Sequence, residues 1–120
     1  MTTFTCSYKI QADEDNNRLY LIIKGFLIDE YVKRAVSKIM HEVSKLKSGF
    51  DVIDDISELT PATEKDAKKI RKAQNYVFSN GAGRIVQVVK DGAGSEKPGN
   101  GKRLQPIIAG SIEEAEWILG

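Results

Sequence analysis

The sequence contains one cysteine, Cys6, and one histidine, His41. A lone cysteine excludes an internal disulfide and fits a reducing compartment, so a cytoplasmic location is expected. One Cys and one His also fall short of the three or four such ligands of the usual zinc sets. No metal and no cofactor is expected. Apolar runs are short, and none approaches the ~20 residues of a membrane span. The opening Met-Thr-Thr-Phe-Thr-Cys6 lacks the basic and apolar regions of a secretory leader. Charge of one sign is missing as well: 18 basic residues face 17 acidic ones, a net charge of +1. Bulk charge therefore selects no partner.

What is present is an ordinary globular composition, 41% hydrophobic and 29% charged over 120 residues. That is the size of one domain, taken here as residues 1–120, and it can bury a core without a staple. Phe4, Cys6, Tyr8 and Ile10 alternate with polar residues, the period of a half-buried strand. A polar turn at Asp13–Asn17 leads to Leu19–Ile23, a second strand apolar on both faces, which predicts an antiparallel hairpin. From Asp29, Val32, Ala35, Val36, Ile39, Met40, Val43 and Leu46 form a helical stripe, and Gly49 stops it. Phe50–Ile56 is a third strand; a helix between two strands implies a right-handed crossover and parallel pairing.

Thr63-Glu-Lys-Asp66 resembles a capping box and opens a second helix with Ala67, Ile70, Ala73, Val77 and Phe78 inward. Arg84–Lys90 is a β-branched strand. Residues 91–103 hold four glycines and a proline and form a long loop, followed by a short strand at Pro106–Ala109. Ser111-x-x-Glu114 caps a last helix. The order is β-β-α-β-α-β-β-α, an α/β fold with a mixed sheet. Helices one and two lie on one face, and the C-terminal helix lies near an edge. Loops after the parallel strands gather at one end of the sheet, the end where open α/β sheets bind ligands.

Few residues carry chemistry. His41 falls on the solvent face of the first helix, with nothing to orient it as a base. Gly81-Ala-Gly83 precedes a strand instead of following one, and Gly101-Lys102 lacks the rest of a Walker loop, so neither is a phosphate cradle. Asp51, Asp54, Asp55 and Glu58 form an acidic run, but alternation sends Asp54 and Asp55 to opposite faces. A structural role is expected for them, with Asp55 the best placed at the binding edge. Lys65, Lys68, Lys69, Arg71 and Lys72 make the second helix basic without interleaved aromatics. This suits a solvated face or an acidic protein partner better than nucleic acid. Trp117 is expected to anchor the last helix by packing. No nucleophile–base pair can be assembled, so no enzyme is expected.

Three strings carry a family resemblance: Leu19-Tyr-Leu-Ile-Ile-Lys-Gly-Phe26 before a helix, Phe50-Asp-Val-Ile-Asp-Asp-Ile-Ser57 before Thr60-Pro-Ala-Thr63, and Ile107-Ile-Ala-Gly-Ser-Ile-Glu-Glu-Ala115. The chain resembles the STAS (sulfate transporter and anti-sigma factor antagonist) domains, in particular small stand-alone bacterial proteins similar to the sporulation anti-sigma factor antagonist. The resemblance implies a non-enzymatic regulatory module that binds a kinase-like anti-sigma factor or another regulator. Its phosphoacceptor loop falls on Thr60-Pro61-Ala62-Thr63. Ala62 stands at the acceptor position and the glycine is missing, which leaves the phospho-switch unsupported. The partner surface implied comprises Ser57, Glu58, Thr60, Thr63 and Lys65. The alternative is a small-ligand site for a nucleotide or anion at the N-terminus of the second helix, closed by Lys97, Lys102 or Arg103. Edge strands would also permit a homodimer by sheet extension.

Overall fold

A computed structural model describes residues 6–27, 29–61, 64–90 and 107–120. Its elements are β1 (Cys6–Asp13), β2 (Arg18–Leu27), α1 (Asp29–Val43), β3 (Asp51–Pro61), α2 (Glu64–Ser79), β4 (Arg84–Val88), β5 (Ile107–Ala109) and α3 (Ile112–Leu119). They form one α/β domain around a five-stranded mixed sheet of order β1-β2-β3-β4-β5. β1 runs antiparallel to β2, and the three remaining pairings are parallel. The expected element order is therefore found. Thr63, the expected cap of α2, and the loop 91–103 lie outside the described residues.

Period-two alternation divides the core between two faces. Ile10, Leu19, Leu21, Val52 and Ile85 meet Ala35, Ile39, Val43, Ala73 and Val77 under α1 and α2. Ile53, Val86, Val88 and Ala109 meet Ala115 and Leu119 under α3. The last helix thus covers β3–β5 on the opposite face, where its expected position was near an edge. Ser111 caps it by accepting from the Glu114 N–H at 3.1 Å, while the Glu114 carboxylate accepts from the Gly110 N–H at 2.6 Å.

Two expected core residues are not in the core. Trp117 is 82% exposed, because Ile112, Ala115, Ile118 and Leu119 already form the inward stripe of α3. Met40 is 44% exposed, and Glu42 takes an inward position on α1 in its place. The Glu42 carboxylate accepts from the Ala12 N–H at 2.9 Å and from Lys45 Nζ at 2.9 Å, with Lys38 Nζ at 3.6 Å. It thereby ties α1 to edge strand β1 and occupies a backbone donor that would otherwise be open to another strand.

The strands enter the sheet through loops held very close together. Gly49 N–H donates to Gly81 O, and Gly83 N–H to Phe50 O, each at 2.6 Å. A Cβ on Gly83 would lie 2.9 Å from Gly49 O, and Gly81 has φ +111°. The Gly81-Ala-Gly83 pair is a close backbone approach, which only glycine allows.

Gly83→Ala should lower the unfolding free energy by about 1–3 kcal/mol, measured by urea denaturation, since backbone must move to admit the methyl. Glu42 should set part of the acid response. Hydrogen bonding from the Ala12 N–H, followed by Lys45 and Lys38, pulls its pKa from 4.5 down to about 2. A depressed carboxyl contributes stability that is present above its unfolded pKa and lost as pH falls. Wild type should therefore lose stability between pH 4.5 and 2, and Glu42→Gln should flatten that fall in thermal melts.

Candidate functional site

The end of the sheet expected to bind is built by β3. β4 pairs with β3 only from Asp51 to Asp55, whereas β2 follows β3 as far as Pro61. The segment from Ser57 to Pro61, expected as a loop, is therefore strand. A bulge makes this possible: Ile22 pairs with Asp55 and Lys24 with Glu58, so β3 carries one extra residue there. Asp55 Oδ1 accepts from the Ser57 N–H at 3.0 Å and from Ser57 Oγ at 2.6 Å, which satisfies the donor that the bulge removes from the ladder. Pairing then resumes from Lys24–Glu58 to Leu27–Pro61. Proline is tolerated where no described strand pairs on the β4 side.

Beyond the bulge, Leu59 turns inward onto the Ile23 and Val32 cluster. Glu58 and Thr60 are consequently exposed on the other face, and Glu58 pairs with Lys24 at 3.6 Å. Lys65 is exposed on the first turn of α2. Of the expected partner surface, Ser57, Glu58 and Thr60 thus share the projecting end of β3, with Ser57 held by Asp55. Thr63 lies outside the described residues, as do Lys97, Lys102 and Arg103 of the alternative ligand site.

The acidic run is dispersed, each member having its own partner. Asp51 makes a two-pronged pair with Arg84, at 3.1 and 3.0 Å, and Arg84 also donates to Leu119 O. Asp55 holds the bulge, and Glu58 meets Lys24. Among the described residues no group of His, Cys, Asp and Glu could hold a metal ion. His41 is exposed, with its ring 3.9 Å from the Glu42 carboxylate.

Asp54 is the outlier that the sequence pattern did not single out. It is buried on the α1/α2 face, where Gln74 Nε2 donates to its Oδ2 at 2.7 Å. Burial raises its pKa from 3.8 to about 6; hydrogen bonds from Gln74 and Gln87 oppose the rise and the neighbouring Asp55 charge adds to it. The neutral, protonated carboxyl is favoured because no cation faces it among Leu21, Ile23, Val32, Ala35, Val36, Ile39 and Ala73. The signal in the sequence was an aspartate at a position of β3 where alternation demanded an apolar residue. On the other face, Arg18 is buried with Nε unpartnered. The Tyr20 hydroxyl donates to Glu116 at 2.7 Å, linking β2 to α3.

No protein-family model matches the chain, and no curated protein matches it. No described helix is long and apolar enough to cross a membrane.

A carboxyl with a raised pKa contributes stability at acid pH that is lost as pH rises through the folded value. Asp54 should therefore destabilise the fold progressively from about pH 4 to above pH 6. The loss should be on the order of 3 kcal/mol, since a tenfold change in proton affinity corresponds to about 1.4 kcal/mol. Asp54→Asn, whose neighbours Gln74 and Gln87 can turn their amides to match, should melt higher than wild type at about pH 8. The difference should vanish near pH 4. Equal melting temperatures at the alkaline pH would show that Asp54 ionises without cost.

Proposed function

We propose that the chain is a protein-interaction module of STAS-like type that binds a regulatory partner, by resemblance a kinase-like anti-sigma factor. Its surface is the projecting end of β3 and the first turn of α2. The observation that carries this reading is the extension of β3 beyond β4. It presents Ser57, Glu58 and Thr60 at the carboxyl end of the parallel strands, with no described strand on its outer side. The Asp55–Ser57 bulge fixes the register of that stretch, and Leu59 anchors it from below. A fixed strand end loses little conformational freedom on docking. The module is non-enzymatic. That reading rests on the resemblance; Ser57 Oγ donates to the Asp55 carboxylate, a contact that holds the bulge.

The partner would meet hydroxyls and a paired charge at the strand end and cations along α2. Lys65, Lys68, Arg71 and Lys72 belong to that helix, and Lys65, Arg71 and Lys72 are exposed on it, so the partner's matching surface is acidic. Thr60→Glu with Lys65→Glu reverses that match using two exposed residues. Tagged wild type should retain a specific protein from its native lysate, and the double variant should retain at least about tenfold less, since like charges brought together at an interface cost several kcal/mol. Equal retention by a variant with an unchanged circular dichroism spectrum would place the interface elsewhere.

A further inference from the structure

Charge is divided unevenly among the helices. α1 is balanced, with Asp29, Glu30 and Glu42 against Lys33, Arg34 and Lys38. α2 carries five cations against Glu64 and Asp66, whereas α3 carries Glu113, Glu114 and Glu116 and no cation. Packing fixes where these charges point. Ala73 and Val77 hold α2 on one face of the sheet, and Ala115 and Leu119 hold α3 on the other. The basic and the acidic helix of one chain therefore face away from each other, with the sheet between them.

Trp117 stands in the acidic face. It is 82% exposed and lies one turn beyond Glu113. Tryptophan is among the residues that most often anchor interfaces, and its ring is the best aromatic seat for a cation. The surface that matches an exposed indole among carboxylates is a row of cations. Lys65, Lys68 and Lys72 form such a row at steps of three and four, with Arg71 beside it, and all four are exposed. Lys69 has a partner of its own and takes no part. We propose that a second copy of this chain is the occupant: α3 of one copy docks on the exposed face of α2 of the next, with Trp117 among Lys68, Arg71 and Lys72. Because the two faces lie on opposite sides of the sheet, the contact is head to tail, and each further copy can add to the row. An eight-residue helix is about 12 Å long, so the contact is small and the association weak. The inference does not rest on the β3 reading, since Ser57, Glu58 and Thr60 take no part. An acidic partner on the first turn of α2 would compete with the next copy.

Sedimentation velocity of the full chain, at up to about 1 mM to reach weak affinities, reads the association. At about 0.01 M ionic strength, where the screening length is about 30 Å, the average mass should climb with concentration. At about 1 M, where it is about 3 Å, the mass should fall to that of one chain. Arg71→Glu with Lys72→Glu disables the basic face, and Glu113→Lys with Trp117→Ser disables the acidic one. These residues are all exposed, so both variants should melt as wild type. Each alone should associate at least about tenfold more weakly, since like charges then meet. An equimolar mixture of the two should regain the wild-type affinity, because each keeps the face the other lacks, and should stop at two chains. A wild type that stays monomeric, association indifferent to salt, or a mixture that associates no better than either variant would overturn the proposal. So would a dimer that both variants preserve, which would point to pairing of edge strands.

Discussion

The structure depends on the way β3 is held. It is the central strand, covered on both faces, paired along its whole length by β2 and along half its length by β4. Its alternation deals Val52 and Asp54 to one layer and Ile53 and Asp55 to the other. A strand buried on both sides should be continuously apolar. This one carries Asp51, Asp54 and Asp55 within five residues, and each departure is matched locally: Arg84 for Asp51, Gln74 and Gln87 for Asp54, the bulged Ser57 for Asp55. The side chain of Asp55 in effect substitutes for the missing ladder bond, and this allows the strand to continue past the end of β4.

Two buried carboxyls then pull stability in opposite directions. Glu42 accepts a backbone N–H and sits among cations, so the fold holds it ionised. Asp54 faces only amides and hydrocarbon, so the fold holds it protonated near and below pH 6. Glu42 favours the native state above pH 4.5, whereas Asp54 favours it at acid pH. The two contributions coexist only near pH 4, because that of Glu42 is lost from pH 4.5 down to about 2 and that of Asp54 from pH 3.8 up to about 6. The difference is one of environment, since the residue types are nearly the same: a donor-rich strand edge in one case, a dry helix–sheet interface in the other.

Much of this architecture is legible in the residues. The order of elements, the parallel crossovers and the two sheet faces follow from periodicity, because a 3.6-residue stripe and a two-residue alternation cannot be exchanged. What is not legible has specific causes. The bulge shifts the alternation phase after Asp55, so Ser57–Pro61 looks like a polar loop although it is strand. Glu42 satisfies a donor on β1, 30 residues away, a partner no local window contains. The size of Trp117 suggests packing, but the inward stripe of a short helix is already filled by Ile112, Ala115, Ile118 and Leu119. The glycines at 81 and 83 are visible, but their reason lies in Gly49 on another loop for one and in its close neighbour Ser48 for the other.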